Sequence, residues 1–394
     1  MHILMISFDP ALINQPDGEA RARHREYARR AGVLTIITQT IARSEGRAAV
    51  ASEPDGLTII PTNSRRQATF PFDALRLGLA YARRVGGSID LITTQDMFLT
   101  GLAGAWLRRR LRVPLLVQNH SVIFENPAWL AENPRRNRVL LRLAKYVLKR
   151  ADMVRTVNER ERQSAIALGC PPERAVALPL ATAARSFALP PDAEQLAGLR
   201  AQLGLLPEQP VVLWVGYPGP VKRVPLLLEA FRHVAEQRPD ARLLLLGDAR
   251  RAREDLPALA AALGIAEQVL IRGPVAHAEL PLYYALAHIY AHTSAYEGGP
   301  RVMYEAAAAG LPLVAMDVVG PNEIIEHGVN GYLTPDNDPA ALAGRIVELL
   351  NDPARARAFG AAAQRMAFER YDAATYAERW VGLWRRAIEL GMRQ

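Results

Sequence analysis

Short apolar, β-rich runs alternate with longer Ala-, Leu- and Arg-rich stretches along this chain, and the alternation stops once and starts again. The candidate strands of the first half are His2–Phe8, Val33–Thr38, Leu57–Ile60, Ile89–Thr93, Leu115–Asn119, Met153–Val157 and Val176–Leu178. Helical stretches separate several of them: Ala20–Ala31, Phe72–Arg84, Leu99–Arg110, Pro134–Arg150 and Glu159–Leu168. Strand and helix in alternation imply a parallel sheet covered on both faces. After the proline-rich joint Leu189-Pro-Pro-Asp-Ala193, Val211–Gly216 reads as a new first strand, followed by the helix Val224–Arg238. The strands Arg242–Gly247, Val269–Arg272, Ile289–Thr293, Leu313–Ala315 and Gly331–Thr334 then follow. The expectation is an α/β chain of two domains, residues 1–188 and 189–370, with a C-terminal helix over 371–394. Trp380 and Trp384 are four apart and share one face of that helix, which can pack back on the N-terminal domain. In such sheets ligands sit beyond the carboxyl ends of the strands, so polar residues just after strands are the candidates.

Composition narrows the class. Half of the 394 residues are hydrophobic and 22% are charged, too apolar a mixture for a disordered chain. Cys170 is the only cysteine, which excludes an intrachain disulfide and a multi-thiolate zinc site and fits a cytoplasmic protein. The apolar opening Met1–Phe8 lacks a basic leader and a cleavage site, so it reads as a core strand. No run of about 18 apolar residues is present to span a membrane. Residues 1–190 hold 28 Lys and Arg against 16 Asp and Glu, whereas the remainder is mildly acidic. The first half is therefore expected to meet something anionic, unless its arginines are only a solvated surface. Lys145, Lys149 and Lys222 are the only lysines, and Lys222 is alone in the second half.

The most informative stretch follows the strand Ile289–Thr293. It reads Ser294-Ala-Tyr-Glu297-Gly-Gly-Pro-Arg-Val-Met-Tyr-Glu305-Ala-Ala-Ala-Ala-Gly310-Leu-Pro. Gly298 and Gly299 free the turn of side chains, Pro300 suits the first position of a helix, and Gly310 suits its end. The first turn of that helix offers N–H groups and a partial positive charge to a diphosphate. Glu305 lies about two turns along, placed for a ribose diol. Glu297 precedes the turn, placed to hold a transferred sugar or to stabilise positive charge at its anomeric carbon. A second stretch, Trp214-Val-Gly216-Tyr217-Pro-Gly-Pro-Val-Lys222-Arg223, follows the strand that opens the second half. Gly216 permits close backbone approach, and Lys222 can reach back as a point charge for phosphate.

These residues resemble the retaining glycosyltransferases of the GT-B fold, specifically glycosyltransferase family 4. Glu297 and Glu305 match that family's Glu-x7-Glu motif, and Gly310-Leu-Pro-Leu-Val-Ala315 and Val319-Gly-Pro-Asn-Glu323-Ile-Ile-Glu-His-Gly328-Val-Asn-Gly331 also look like it. The resemblance covers Val211 to about Leu350 closely and the first half more loosely. It implies two Rossmann-like domains facing a central cleft, the N-terminal one for the acceptor and the C-terminal one for the nucleotide-sugar. In similar proteins an arginine follows the glycine of the lysine loop; here Tyr217 stands there, with Arg223 or Arg301 left to compensate. The resemblance assigns Gly18 to a loop facing the donor phosphates and His120 to the neighbourhood of the transferred sugar and acceptor. Asn158, after another strand, is a further cleft candidate by position. His288 and Ala183, the latter ahead of Phe187, stand where relatives often carry aspartate.

The implied reaction is hexosyl transfer from a UDP- or GDP-linked sugar to an acceptor hydroxyl in glycan, glycolipid or polysaccharide synthesis. The acceptor is a glycan, a lipid-linked molecule or a small molecule. No cofactor is implied, and without an Asp-x-Asp pair no metal is strictly required. The basic amphipathic stretch Arg135–Arg150 is either an ordinary surface helix or a contact with the inner face of a membrane. A nucleotide-sugar 2-epimerase on the same fold is the alternative, with Glu297 as an acid or base. No nucleic-acid-binding signature accompanies the positive charge.

Overall fold

A computed structural model describes residues 1–42, 46–182 and 184–392. They form two compact units, Met1–Leu178 with the segment from Thr375 onward, and Pro179–Ala374. The division falls ahead of the proline-rich joint because Ala184 and Phe187 are buried in the second unit's core.

The first unit is built on eight strands: β1 (His2–Ser7), β2 (Val33–Thr38), β3 (Ala51–Ser52), β4 (Leu57–Pro61), β5 (Leu91–Thr94), β6 (Leu115–Asn119), β7 (Met153–Thr156) and β8 (Ala175–Ala177). Their order is β3-β4-β2-β1-β5-β6-β7-β8. Every pairing is parallel except β3 with β4, an antiparallel edge too short and polar to show in the sequence. The residues of β5, β6 and β7 are all buried, as expected of parallel strands covered on both faces. The C-terminal helix Ala373–Met392 belongs largely to this unit, with Trp380 and Trp384 packed 6.2 and 6.0 Å from the ring of Tyr27.

The second unit carries β9 (Val211–Val215), β10 (Arg242–Leu246), β11 (Val269–Arg272), β12 (Ile289–His292), β13 (Leu313–Met316) and β14 (Gly331–Thr334). All are parallel, in the order β11-β10-β9-β12-β13-β14. Counted from β9 this is the 3-2-1-4-5-6 order of a dinucleotide-binding sheet, with its switch point between β9 and β12. The helix Val224–Gln237 covers one face because Val224, Leu227, Leu228, Phe231 and Val234 recur at helical spacing and are buried. The two stretches singled out in the sequence follow β9 and β12, so both lie at the carboxyl side of the switch point.

Candidate active site

The loop after β9 and the segment after β12 are knitted together before any side-chain chemistry is added. Thr293 Oγ1 donates to the carbonyls of Lys222 and Arg223 at 3.0 and 3.2 Å, and the Ala295 N–H donates to Val221 at 2.8 Å. Arg223 completes the fastening. Its Nε donates to the Thr293 carbonyl at 2.7 Å, Nη2 to Ser294 and Asp336 at 2.9 and 2.6 Å, and Nη1 to Asn337 at 2.7 Å. The guanidinium is thereby committed to protein oxygens. Tyr217, just beyond Gly216, is exposed, and the guanidinium of Arg251 lies 4.5 Å over its ring.

Glu297 is the hub of this network. Its Oε1 accepts from Lys222 Nζ in an ion pair and from Ser294 Oγ at 2.7 Å. His292 Nε2 lies 3.3 Å from the same oxygen. Burial alone would raise the Glu297 carboxyl, but His292 and Lys222 outweigh it and hold it down at about 2. Burial in turn lowers His292, against the pull of Glu297. The Glu297 N–H donates to the Val319 carbonyl at 2.8 Å, and Gly320 follows with φ 101°. A Cβ on Gly320 would sit 2.7 Å from both Glu297 Cβ and its carbonyl oxygen. Gly320→Ala is therefore expected to push Glu297 out of place, at a cost of about 1–3 kcal/mol in stability and roughly tenfold or more in turnover. Chemical denaturation and initial rates check the two effects separately.

The helix Arg301–Ala308 starts beside this carboxylate. Pro300 is its N-cap, so the helix starts one position later than the sequence suggested, and the N-cap makes no side-chain capping bond. Within the first turn the Met303 N–H donates to the Pro300 carbonyl at 2.9 Å. Neither Gly298 nor Gly299 has a left-handed φ, and a Cβ on Gly299 would meet only ordinary contacts, Tyr304 at 3.4 Å and Leu180 at 3.6 Å. The fold itself makes no demand for glycine at position 299. Glu305 is the fifth helical residue, early in the second turn, and is only 3% exposed. Its Oε2 accepts from Tyr284 Oη at 3.1 Å, and Oε1 lies 3.4 Å from His277 Nε2. Phe187 sets its edge against His277 and Tyr284, so this carboxylate is roofed by His277. His288 accepts from the Val211 N–H at 3.1 Å and ties β9 to β12; Ala183 lies outside the described residues.

In the first unit His120 follows β6. Nδ1 lies 3.3 Å from Arg155 Nη1, and Nε2 lies 2.9 Å from Gln118 Oε1. Arginine only donates, so Nδ1 accepts and the proton resides on Nε2. Burial first, then Arg155 and Arg23, push the imidazole down to about 3. Arg155 is fully buried in β7, where Nη2 donates to Tyr376 Oη at 3.0 Å and the guanidinium lies 5.1 Å over Trp380. The residue before the histidine is anchored too: Asn119 Nδ2 donates to Glu161 Oε2 at 2.6 Å. Asn158 caps the Glu161 helix, accepting from the Glu161 N–H at 2.8 Å. Gly18 is the N-cap of the helix Glu19–Ala31, in which Arg21 and Arg25 both pair with Glu53.

Glu161 has a measurable consequence. Burial raises its carboxyl to about 7. A group raised on folding contributes its stability below its unfolded value near 4.5 and loses it as pH climbs through 7. Wild-type protein is expected to lose up to about 3 kcal/mol between pH 4.5 and 8 that a Glu161→Gln variant retains. Denaturant titrations at the two pH values test this; identical pH slopes would contradict it.

Known proteins share both units. Residues 18–181 match the family model Glycosyl transferase 4-like domain, and residues 198–366 match Glycosyl transferases group 1. The D-inositol 3-phosphate glycosyltransferase of Nocardia farcinica is 31% identical over 71% of this chain, which spans 62% of that protein, less than two thirds of its length. The protein of the same name from Xylanimonas cellulosilytica is 31% identical, with 74% of this chain and 70% of the relative aligned. This chain belongs to the GT-B glycosyltransferases. The fold agrees: a crystal structure of Anabaena Alr3699/HepE in complex with UDP superposes with a TM-score of 0.75, covering 97% of this chain and 99% of that one at 20% identity. Both curated relatives of this glycosyltransferase are named as transferases, and the epimerase alternative finds no support in them.

Among the described residues of the glycosyltransferase no group of three His, Cys, Asp or Glu is arranged to hold a metal ion. No helix among them is long and apolar enough to cross a membrane. The basic helix Pro134–Leu148 buries Ala144, Val147 and Leu148, while Val139 is 61% exposed. Reading the sequence missed Arg155, Glu161, Ser294, His292 and Gly320. Ser294 and Gly320 lie inside the quoted stretches without a role of their own, while Arg155 and Glu161 left a trace as a charge inside an apolar strand and a Glu three residues past the Asn158 cap.

Proposed function

We propose that this glycosyltransferase moves a sugar from a UDP- or GDP-linked donor to an acceptor hydroxyl with retention of anomeric configuration, as family 4 enzymes do. One observation carries the reading: Lys222 is fixed on Glu297 beside a helix start whose N-cap makes no side-chain capping bond. Lysine has three N–H donors, and Glu297 takes one, which leaves two for phosphate oxygens. The helix N–H groups supply the remaining donors to the diphosphate. Gly216, Gly298, Gly299, Pro300 and Arg301 line the donor, with glycine at 299 leaving room for the ligand rather than for the fold. Arg223 contributes by holding the lysine turn, since four of its five N–H donors go to protein oxygens.

In the proposed step the bond between the anomeric carbon and the phosphate oxygen breaks, and its electron pair goes to the leaving diphosphate. Lys222 and the helix start meet that charge as it develops, which is usually the largest catalytic contribution. The acceptor oxygen attacks the same face, and its proton passes to the departing phosphate oxygen. Ionised Glu297 holds the sugar and stabilises the oxocarbenium-like carbon. Glu305 takes the ribose diol, which requires the His277 side chain to move aside. Gly18 lies near the donor phosphates. His120, neutral and oriented by Arg155, serves the transferred sugar and acceptor. The acceptor is a glycan, a lipid-linked molecule or a small molecule, met in the cytoplasm or at the inner face of the membrane, and the chemistry needs no metal.

A thermal-shift screen of UDP- and GDP-sugars identifies the donor, because a ligand of the folded state raises the melting temperature by mass action. The anomeric proton of the product, followed by NMR from the first turnover, then tests the stereochemistry. Retention is expected; a product of inverted configuration contradicts the proposal.

A further inference from the structure

The first unit contains a cavity of about 840 Å³ whose walls include Trp106, Tyr146, Arg108, Arg109, Arg112 and Arg150. Pro114 and Asp152, also in its lining, immediately precede β6 and β7. The cavity therefore lies at the amino ends of these strands, whereas His120 follows the carboxyl end of β6. It is distinct from every residue assigned to sugar transfer.

Its charge is unbalanced. Asp152 is 1% exposed and already saturated: Arg108 donates to both its oxygens at 2.6 Å, and the Leu115 N–H donates at 2.8 Å. Three guanidinium groups remain. Arg109 and Arg112 are exposed, and their guanidinium groups form no hydrogen bond or ion pair among the described residues. Arg150 donates once to the Tyr146 carbonyl at 3.0 Å and lies 3.5 Å over the Tyr146 ring, a stacking that holds the fork in place.

Favourable cations at the end of the helix Leu99–Leu111 explain part of this cluster. They account for Arg150 only as the cation of a second helix end, not for its meeting Arg109 and Arg112 in one cavity. Nor do they explain Arg112, which caps the helix at φ 57°, a left-handed position where glycine is the ordinary residue. An arginine kept there at the expense of the backbone, facing a shared concavity with two others, points to something the cavity holds. Planar forks of this kind match phosphate oxygens bidentately, and the Trp106 and Tyr146 walls suit a ring-bearing or sugar-bearing remainder. The volume is that of a small-molecule site.

We propose that this cavity is a second ligand site, for a soluble molecule bearing two or more phosphate charges. Calorimetric titration of the full chain with inorganic pyrophosphate at fixed ionic strength tests it. Because the sugar-transfer site is itself proposed to take a diphosphate, the titrations are run on Lys222→Ala protein as well as wild type. Pyrophosphate is expected to bind the Lys222→Ala protein. Adding Arg109→Ala and Arg150→Ala is expected to weaken that binding at least tenfold. Arg112→Gly is expected to weaken it at an unchanged or higher melting temperature, because glycine relieves the left-handed backbone. Undiminished binding in the arginine variants overturns the proposal. So do binding that disappears with Lys222→Ala alone, absence of binding to any form, and binding confined to phosphatidylglycerol vesicles with none to pyrophosphate.

Discussion

Lys222→Ala lowers kcat/KM by about 10²–10³-fold, the loss typical when one preorganised donor to developing negative charge is removed. Folding is left largely intact, because the lysine side chain is 25% exposed and packs in no apolar core. The variant also separates two roles of the ion pair. Without its lysine, Glu297 keeps Ser294 as a donor and His292 as a neighbour, so the carboxylate stays in place while the phosphate cation is gone. Glu297→Gln reverses the loss: Lys222 remains, but the charge that holds the sugar and steadies the lysine is removed. A fall in kcat for both variants, with a rise in KM mainly for Lys222→Ala, is expected from steady-state rates. Wild-type rates in Lys222→Ala would remove the proposed phosphate contact.

Arg155→Ala destabilises the first unit by about 3 kcal/mol, since it opens a cavity beside Trp380 and strips a donor from Tyr376 and from His120. Arg155→Met keeps most of the volume and removes a buried charge, so its cost is smaller. The two variants agree on a different readout. The positive charge of Arg155 is one of the causes that hold His120 low, so in both the imidazole rises from about 3 toward its ordinary value. Ring proton NMR across pH 3–8 follows that rise directly. An unchanged His120 titration in Arg155→Met would show that burial alone sets it.

Much of the fold was legible because its signal is local. Strands such as Val33–Thr38, Leu115–Asn119 and Val269–Arg272 are bounded as their Val, Ile and Leu runs imply. The two stretches after β9 and β12 announced themselves by glycines, a lone lysine and spaced glutamates. What the sequence hid depends on partners far apart in the chain. Arg155 meets Tyr376 across 221 positions, and Lys222 meets Glu297 across 75. Periodicity carries no information about such pairs. The roof of His277 over Glu305 was hidden for the same reason: the contact depends on how Phe187 and Tyr284 pack, not on either motif. Arg223 is a different case. A basic residue beside a phosphate motif suggests a ligand contact, whereas here its donors reach Thr293, Ser294, Asp336 and Asn337. Only the folded geometry distinguishes an arginine that grips phosphate from one that holds the loop.

The central claim is that the start of the helix Arg301–Ala308 receives the diphosphate. Amide hydrogen exchange at residues 298–303, measured with and without a saturating nucleoside diphosphate, addresses it most directly. Protection confined to this segment and the Lys222 turn is the expected result, and it should fade in Lys222→Ala. A nucleoside diphosphate that binds the protein yet leaves those amides exchanging at their free rate would contradict the account.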